Sequence, residues 1–124
     1  MNINALLKRV KKRERKIKVR WGNDLIVKQK QKKIVMVDTN LNQEEKQNAL
    51  FIFDEMINIV KTILQDLEKP HPYILNRYGR LYKECLRDLN GKTKEEIQLS
   101  PLLTLEFNKS LMYAQMIQDL EVLI

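Results

Sequence analysis

Nine cationic side chains fall within thirteen consecutive positions near the start of the chain: Lys8, Arg9, Lys11, Lys12, Arg13, Arg15, Lys16, Lys18 and Arg20. The chemistry open to such a run is phosphate neutralisation, because each ammonium or guanidinium that meets a nucleic-acid backbone releases condensed counterions. A second group, Lys28, Lys30, Lys32 and Lys33, follows shortly after and extends the same character. Residues 1–33 hold 13 Lys and Arg against Glu14 and Asp24, a net of +11, while residues 34–124 carry a net of −4. This asymmetry concerns partners rather than fold. One aromatic, Trp21, lies among these cations, too few for the stacking platform that single strands require. No base-reading motif accompanies them, so contact would be directed at the backbone, with DNA favoured over RNA. The competing reading is a solvated arm that neutralises the acidic remainder of its own chain.

Other reactive residue types do not assemble into a catalytic pattern. His71, the single histidine, sits between Pro70 and Pro72, and a zinc site would need three or four ligands. Cys85 falls on an apolar helical face without an evident base, so it reads as a packed small hydrophobe rather than a nucleophile. Glycines at 22, 79 and 91 cannot form a phosphate-cradling loop. The pairs Glu44, Glu45 and Glu95, Glu96 suit helix N-termini. Neither an enzyme, a metal centre nor a cofactor site is expected. No window of about 18 apolar residues exists to span a membrane. The charges follow, rather than precede, a very short apolar stretch, which is the reverse of a signal peptide. With one cysteine and so no disulfide framework, the expected location is the cytoplasm.

The elements that must position these residues are mainly helical. Ile3, Leu6, Leu7 and Val10 recur at helical spacing behind Asn2 or Asn4 as N-cap. Ile17, Val19 and Trp21 then alternate with Lys18 and Arg20, Gly22-Asn23-Asp24 supplies turn chemistry, and two β-branched runs follow. Residues 17–37 therefore predict a small antiparallel hairpin or three-stranded meander, on which Lys28, Lys30 and Lys32 would share one face. Asn42 and Glu45 have capping-box spacing. The helix they open carries Ala49, Leu50, Phe53, Met56, Ile57, Val60, Ile63, Leu64 and Leu67 on one face and ends at Pro70. Its spacing approaches a heptad, so residues 43–68 are expected to pair with a partner helix or a second copy. A third helix runs over residues 73–89 with Ile74, Leu75, Tyr78, Leu81, Tyr82, Cys85, Leu86 and Leu89 inward. Its opposite face bears Arg77, Arg80, Lys83 and Arg87, expected to be spent in ion pairs with Glu84 and Asp88. Asn90-Gly91 closes it. Thr93 and Glu96 suggest one helical turn, and Ser100-Pro101 opens the last helix, with Leu103, Phe107, Leu111, Ala114, Ile117, Leu120 and Ile124 as its stripe. The fold class is mainly α: a bundle of three long helices over residues 39–124, preceded over residues 1–38 by a basic short helix and a small antiparallel β element.

The string HPYILNRYGRLYKECLRDL at residues 71–89, followed by LSPLLTLEF at residues 99–107, resembles one group of phage terminase small subunits. The match rests on Pro72, Leu86, Leu89, Leu99, Ser100 and Pro101 and covers under a third of the chain. Residues 91–97 are an insertion relative to the usual spacing, and the basic N-terminal segment is a further departure. The resemblance implies a DNA-binding, ring-forming adaptor that presents viral DNA to a large motor-nuclease subunit. From the residues alone, the leading function is non-enzymatic, phosphate-directed nucleic-acid binding, in a phage or mobile-element DNA-packaging setting. The alternative is a helical protein–protein module that dimerises or docks a partner, carrying a solvated basic arm.

Overall fold

In the computed structural model, which describes residues 2–121, the chain folds into five helices: α1 (Ile3–Val37), α2 (Gln43–Asp66), α3 (His71–Leu89), the short α4 (Lys94–Leu99) and α5 (Pro101–Glu121). The four long ones run alternately up and down. Lys32 reaches Asp54 and Lys18 reaches Glu68, so α2 returns along α1. Tyr78 packs against Tyr113, so α5 returns along α3. One core joins them: Ile17 and Trp21 from α1, Val60 and Ile63 from α2, Ile74, Tyr78 and Cys85 from α3, and Met112, Tyr113, Met116 and Leu120 from α5.

Local chemistry sets most of the helix ends. At the start of α2, Asn42 accepts from the Glu45 backbone N–H at 2.8 Å while the Glu45 carboxylate accepts from that of Asn42 at 3.2 Å, a reciprocal capping box. The α3 helix has proline in its first turn and is closed by Gly91 at φ +76°, a conformation that costs a residue without Cβ little. Thr93 caps α4 by accepting from Glu96 N–H. Ser100 accepts from the backbone N–H of Leu103 at the start of α5.

The expected β element is absent: residues 17–37 belong to one continuous helix, and no strand occurs among the described residues. The alternation at Ile17, Val19 and Trp21 was ambiguous, because Ile17, Trp21 and Leu25 also fall at four-residue spacing on one helical face. Burial decides between the two periods. As a helix, that face enters the common core, whereas a lone hairpin would leave it half in water. Gly22 sits inside the helix without a positive φ, so its turn chemistry goes unused. The stripe of α5 also differs from expectation. Leu105, Met112, Tyr113 and Met116 are buried, while Phe107 and Leu111 face outward. This helix is apolar nearly all round, so spacing could not pick the inner face; Ile124 lies outside the described residues. The heptad-like face of α2 is spent within the chain, with Ile57, Val60 and Ile63 buried.

Candidate nucleic-acid interface

Two polar anchors fix α1 and therefore its cations. Near the C-terminal end of α5 the buried Asp119 carboxylate accepts from Trp21 Nε1 at 3.2 Å and from Gln115 at 2.9 Å, and it pairs with the Arg20 guanidinium. A buried carboxylate is tolerable only with such partners. The Arg20 guanidinium also lies 5.9 Å from the centre of the Trp21 ring. Lys18 pairs with Glu68 at 2.5 Å, beside the turn that joins α2 to α3, and His71 meets Glu14 at 3.3 Å. Among the described residues these contacts mark the level at which the bundle ends. The turns of α1 before Glu14 run on beyond it by about 16 Å at a rise of ~1.5 Å per residue.

That projection carries the densest charge. Lys8, Arg9, Lys11, Lys12, Arg13, Arg15 and Lys16 are all exposed. Lys8, Lys12 and Arg15 fall on one face at helical spacing, flanked by Arg9 and Lys16. Lys12, Arg15 and Lys16 line a shallow depression with Val19, Arg20 and Asn23. Arg13 is engaged within the chain. The opposite side of the projection shows Ile3, Leu6 and Leu7 to solvent. A helix this rich in like charge is costly to nucleate alone, but here it propagates from the packed turns behind it. Asn2 caps it by accepting from Asn4 N–H at 2.9 Å.

The remaining cations are dispersed. Lys18, Arg20 and Lys32 pair with Glu68, Asp119 and Asp54, and Lys28 pairs with Asp24 one turn back at 2.7 Å. Because the segment is helical, Lys30 does not share the face on which Lys28 and Lys32 stand one turn apart. Lys28 borders a groove between α1 and α5, Lys32 turns to α2, and Lys30 and Lys33 face solvent. Trp21 is buried and its N–H engaged, so it offers no stacking surface.

The cationic stripe of α3 is more open than its spacing predicts. The expected pairing of α3 cations with Glu84 and Asp88 is not made among the described residues. Arg77 instead approaches buried Asp66 of α2, and Arg80, Lys83 and Arg87 are exposed along a shallow depression with Asn76 and Gly79. The order Arg80 then Glu84 runs against the favourable acid-first orientation, which was the available signal.

At the α2–α3 turn, Asp66 accepts from the Tyr78 hydroxyl at 2.7 Å, with Lys69 and Arg77 at 3.3 and 3.4 Å. Burial, then the Asp66 carboxylate, pushes the Tyr78 hydroxyl well above its ordinary range, which keeps it a donor at neutral pH. The more exposed Tyr73 is lowered by hydrogen bonding to Arg77 and then Lys69. This cluster clamps a turn. Cys85 is buried, and desolvation, reinforced by Glu106, pushes its thiol up to about 12; a thiol held neutral is a poor nucleophile. No group of three or more His, Cys, Asp or Glu placed to hold a metal occurs among the described residues. Nor, among them, is any helix long and apolar enough to cross a membrane. Compared with protein-family models, characterised proteins and solved structures, the chain gives no significant match.

Proposed function

We propose that this chain is a non-enzymatic, phosphate-directed nucleic-acid-binding protein whose contact surface is the projecting N-terminal part of α1. The observation that carries the reading is the exposure of Lys8, Arg9, Lys11, Lys12, Arg15 and Lys16 on turns that extend past the end of the bundle. A helix presented in this way fits the major groove of B-form DNA. The deep, narrow major groove of A-form RNA does not admit one, so duplex DNA is the preferred partner. Binding is blind to sequence, since the side chains on this face are point charges and flexible forks without a reading register. The clasped cations Lys18, Arg20, Lys28 and Lys32 contribute little, as each already has a carboxylate. A role as a DNA-packaging adaptor of a phage or mobile element, acting in the cytoplasm, is the biological setting in which such a surface would present DNA to a motor.

The test is a salt titration of binding to random-sequence duplex DNA and RNA. Six neutralised phosphates give a slope of log K against log salt of about −5, a loss of roughly 10³ in affinity between 50 and 200 mM salt. DNA binding at low salt that follows this slope, and that is lost on changing the six cations to alanine, supports the proposal. No binding at low salt, or binding indifferent to those six changes, overturns it.

A further inference from the structure

Beyond the projecting turns, α1 carries a second apolar stripe on the side facing away from the bundle. Val19, Ile26, Val27, Ile34 and Val37 are 62, 50, 49, 64 and 76% exposed, and their spacing of seven and eight residues keeps them on one side of the helix. The inner stripe of the same helix, with Ile17 and Trp21, is already in the core. A helix apolar on two opposite sides is ordinarily covered on both. Solvated Lys30 and Lys33 lie along this outer stripe, so two such stripes laid against each other would oppose like charges. The complementary surface is on the same molecule. The outer face of α2 places Glu44, Phe51 and Glu55 at helical spacing, with Phe51 42% exposed between the carboxylates.

We propose that a second copy of this chain covers the outer stripe of α1, seating Phe51 of one copy between Ile26 and Ile34 of the other, with Lys30 and Lys33 directed at Glu44 and Glu55. The arrangement is two-fold and reciprocal: each copy gives its α1 and receives on its α2, so the same patch serves both subunits. Area also favours reciprocity. The stripe over residues 19–37 is about 27 Å long and roughly one helix diameter, ~10 Å, wide. A single such contact falls well short of the ~800 Å² per partner of a standard interface, and two bring the dimer towards the weak end of the range. Ion pairs at its rim make the dimer salt-sensitive. It leaves the projecting turns of both copies uncovered. This inference does not depend on nucleic-acid binding.

Sedimentation velocity of the full chain without nucleic acid, from low to several hundred micromolar, tests it. The expected result is a monomer–dimer equilibrium weakened by salt and at least tenfold weaker in Ile26→Glu. The double variants Lys30→Glu with Lys33→Glu, and Glu44→Lys with Glu55→Lys, are each expected to be monomeric alone and to associate when mixed. Ile26, Lys30, Lys33 and Glu44 are exposed and Glu55 is half-buried at a groove beside Arg77, and circular dichroism checks that the helices persist. A monomer at every concentration, a dimer indifferent to Ile26→Glu, or charge-swapped variants that fail to associate when mixed would each overturn the proposal.

Discussion

The two halves of α1 carry comparable positive charge and put it to opposite uses. In residues 17–37, Lys18, Arg20 and Lys32 are drawn onto carboxylates of α2, the α2–α3 turn and α5, and Lys28 onto Asp24. In residues 3–13 no other helix among the described residues runs alongside, and Lys8, Lys12, Arg15 and their neighbours stand in solvent. The charge density of a segment therefore does not decide its role; what decides it is whether a facing element supplies counter-charge. A net of +11 over residues 1–33 divides into a clasp and a free electrostatic surface. The clasp holds the surface at a fixed angle to the bundle, which is what a contact helix requires if several cations are to meet phosphate together.

The sharpest break in this comparison comes from the core. Trp21→Ala removes a buried ring and one of the N–H donors to Asp119, and is expected to cost about 3–5 kcal/mol. Leu7→Ala, on the exposed side of the projection, is expected to stay within about 0.5 kcal/mol. Urea unfolding of the two variants measures the contrast, and equal losses would mean that the projecting turns are packed after all. Next in size is the charge effect. Changing Lys8, Arg9, Lys11, Lys12, Arg15 and Lys16 together to alanine should abolish measurable binding to duplex DNA at moderate salt, together with the salt slope of about −5. Their removal should leave the thermal midpoint unchanged or slightly raised, because it relieves self-repulsion. Changing Lys18, Lys28 and Lys32 should do the reverse, with a modest loss of stability of about 0.2–1 kcal/mol for each of the more exposed Lys18 and Lys32 pairs and little change in binding.

Asp119 links the halves. Asp119→Asn keeps the shape but removes the charge that holds Arg20, so stability should fall by about 1–3 kcal/mol. The released guanidinium should add one phosphate contact, raising affinity less than tenfold and steepening the salt slope by about 0.9. Fluorescence of Trp21 reports the first effect and a DNA titration the second. A stability loss with no change in salt slope would show that Arg20 cannot reach phosphate from its place on the helix.

How much of this was legible in the sequence depended on the range of the interaction. The capping box of Asn42 and Glu45, the proline-led start of α3, Gly91 and Ser100 are local devices, and each was readable from a few neighbouring residues. The inner face of α2 was readable because its outer face is polar. α5 was not, because Phe107, Leu111, Met112 and Met116 are all apolar and only packing separates them. The cations of the candidate surface were visible as composition, but the ones already spoken for were not: Lys18 finds its acid 50 residues away and Arg20 finds Asp119 at 99. Such distant partners leave no trace in local spacing.

The smallest expected effect bears on the largest misreading. Spacing predicts a small antiparallel hairpin or three-stranded meander over residues 17–37, with a turn at Gly22-Asn23-Asp24, and the structure makes the segment helix. Glycine inside a helix costs about 0.5–1 kcal/mol relative to alanine, since it gives up more backbone freedom on ordering. A Cβ added at Gly22 meets nothing within 4 Å, and its φ is not positive. Gly22→Ala should therefore stabilise the chain by about 0.5–1 kcal/mol. In a hairpin with glycine in a left-handed turn position, the same change would be destabilising. The sign of one surface substitution thus separates the two backbones, and equilibrium urea unfolding can resolve it. Because α1 joins the clasped half to the projecting half through this position, the gain should also appear as slower amide exchange in the turns around Gly22. A loss of stability would return the segment to a turn and uncouple the projecting cations from the bundle.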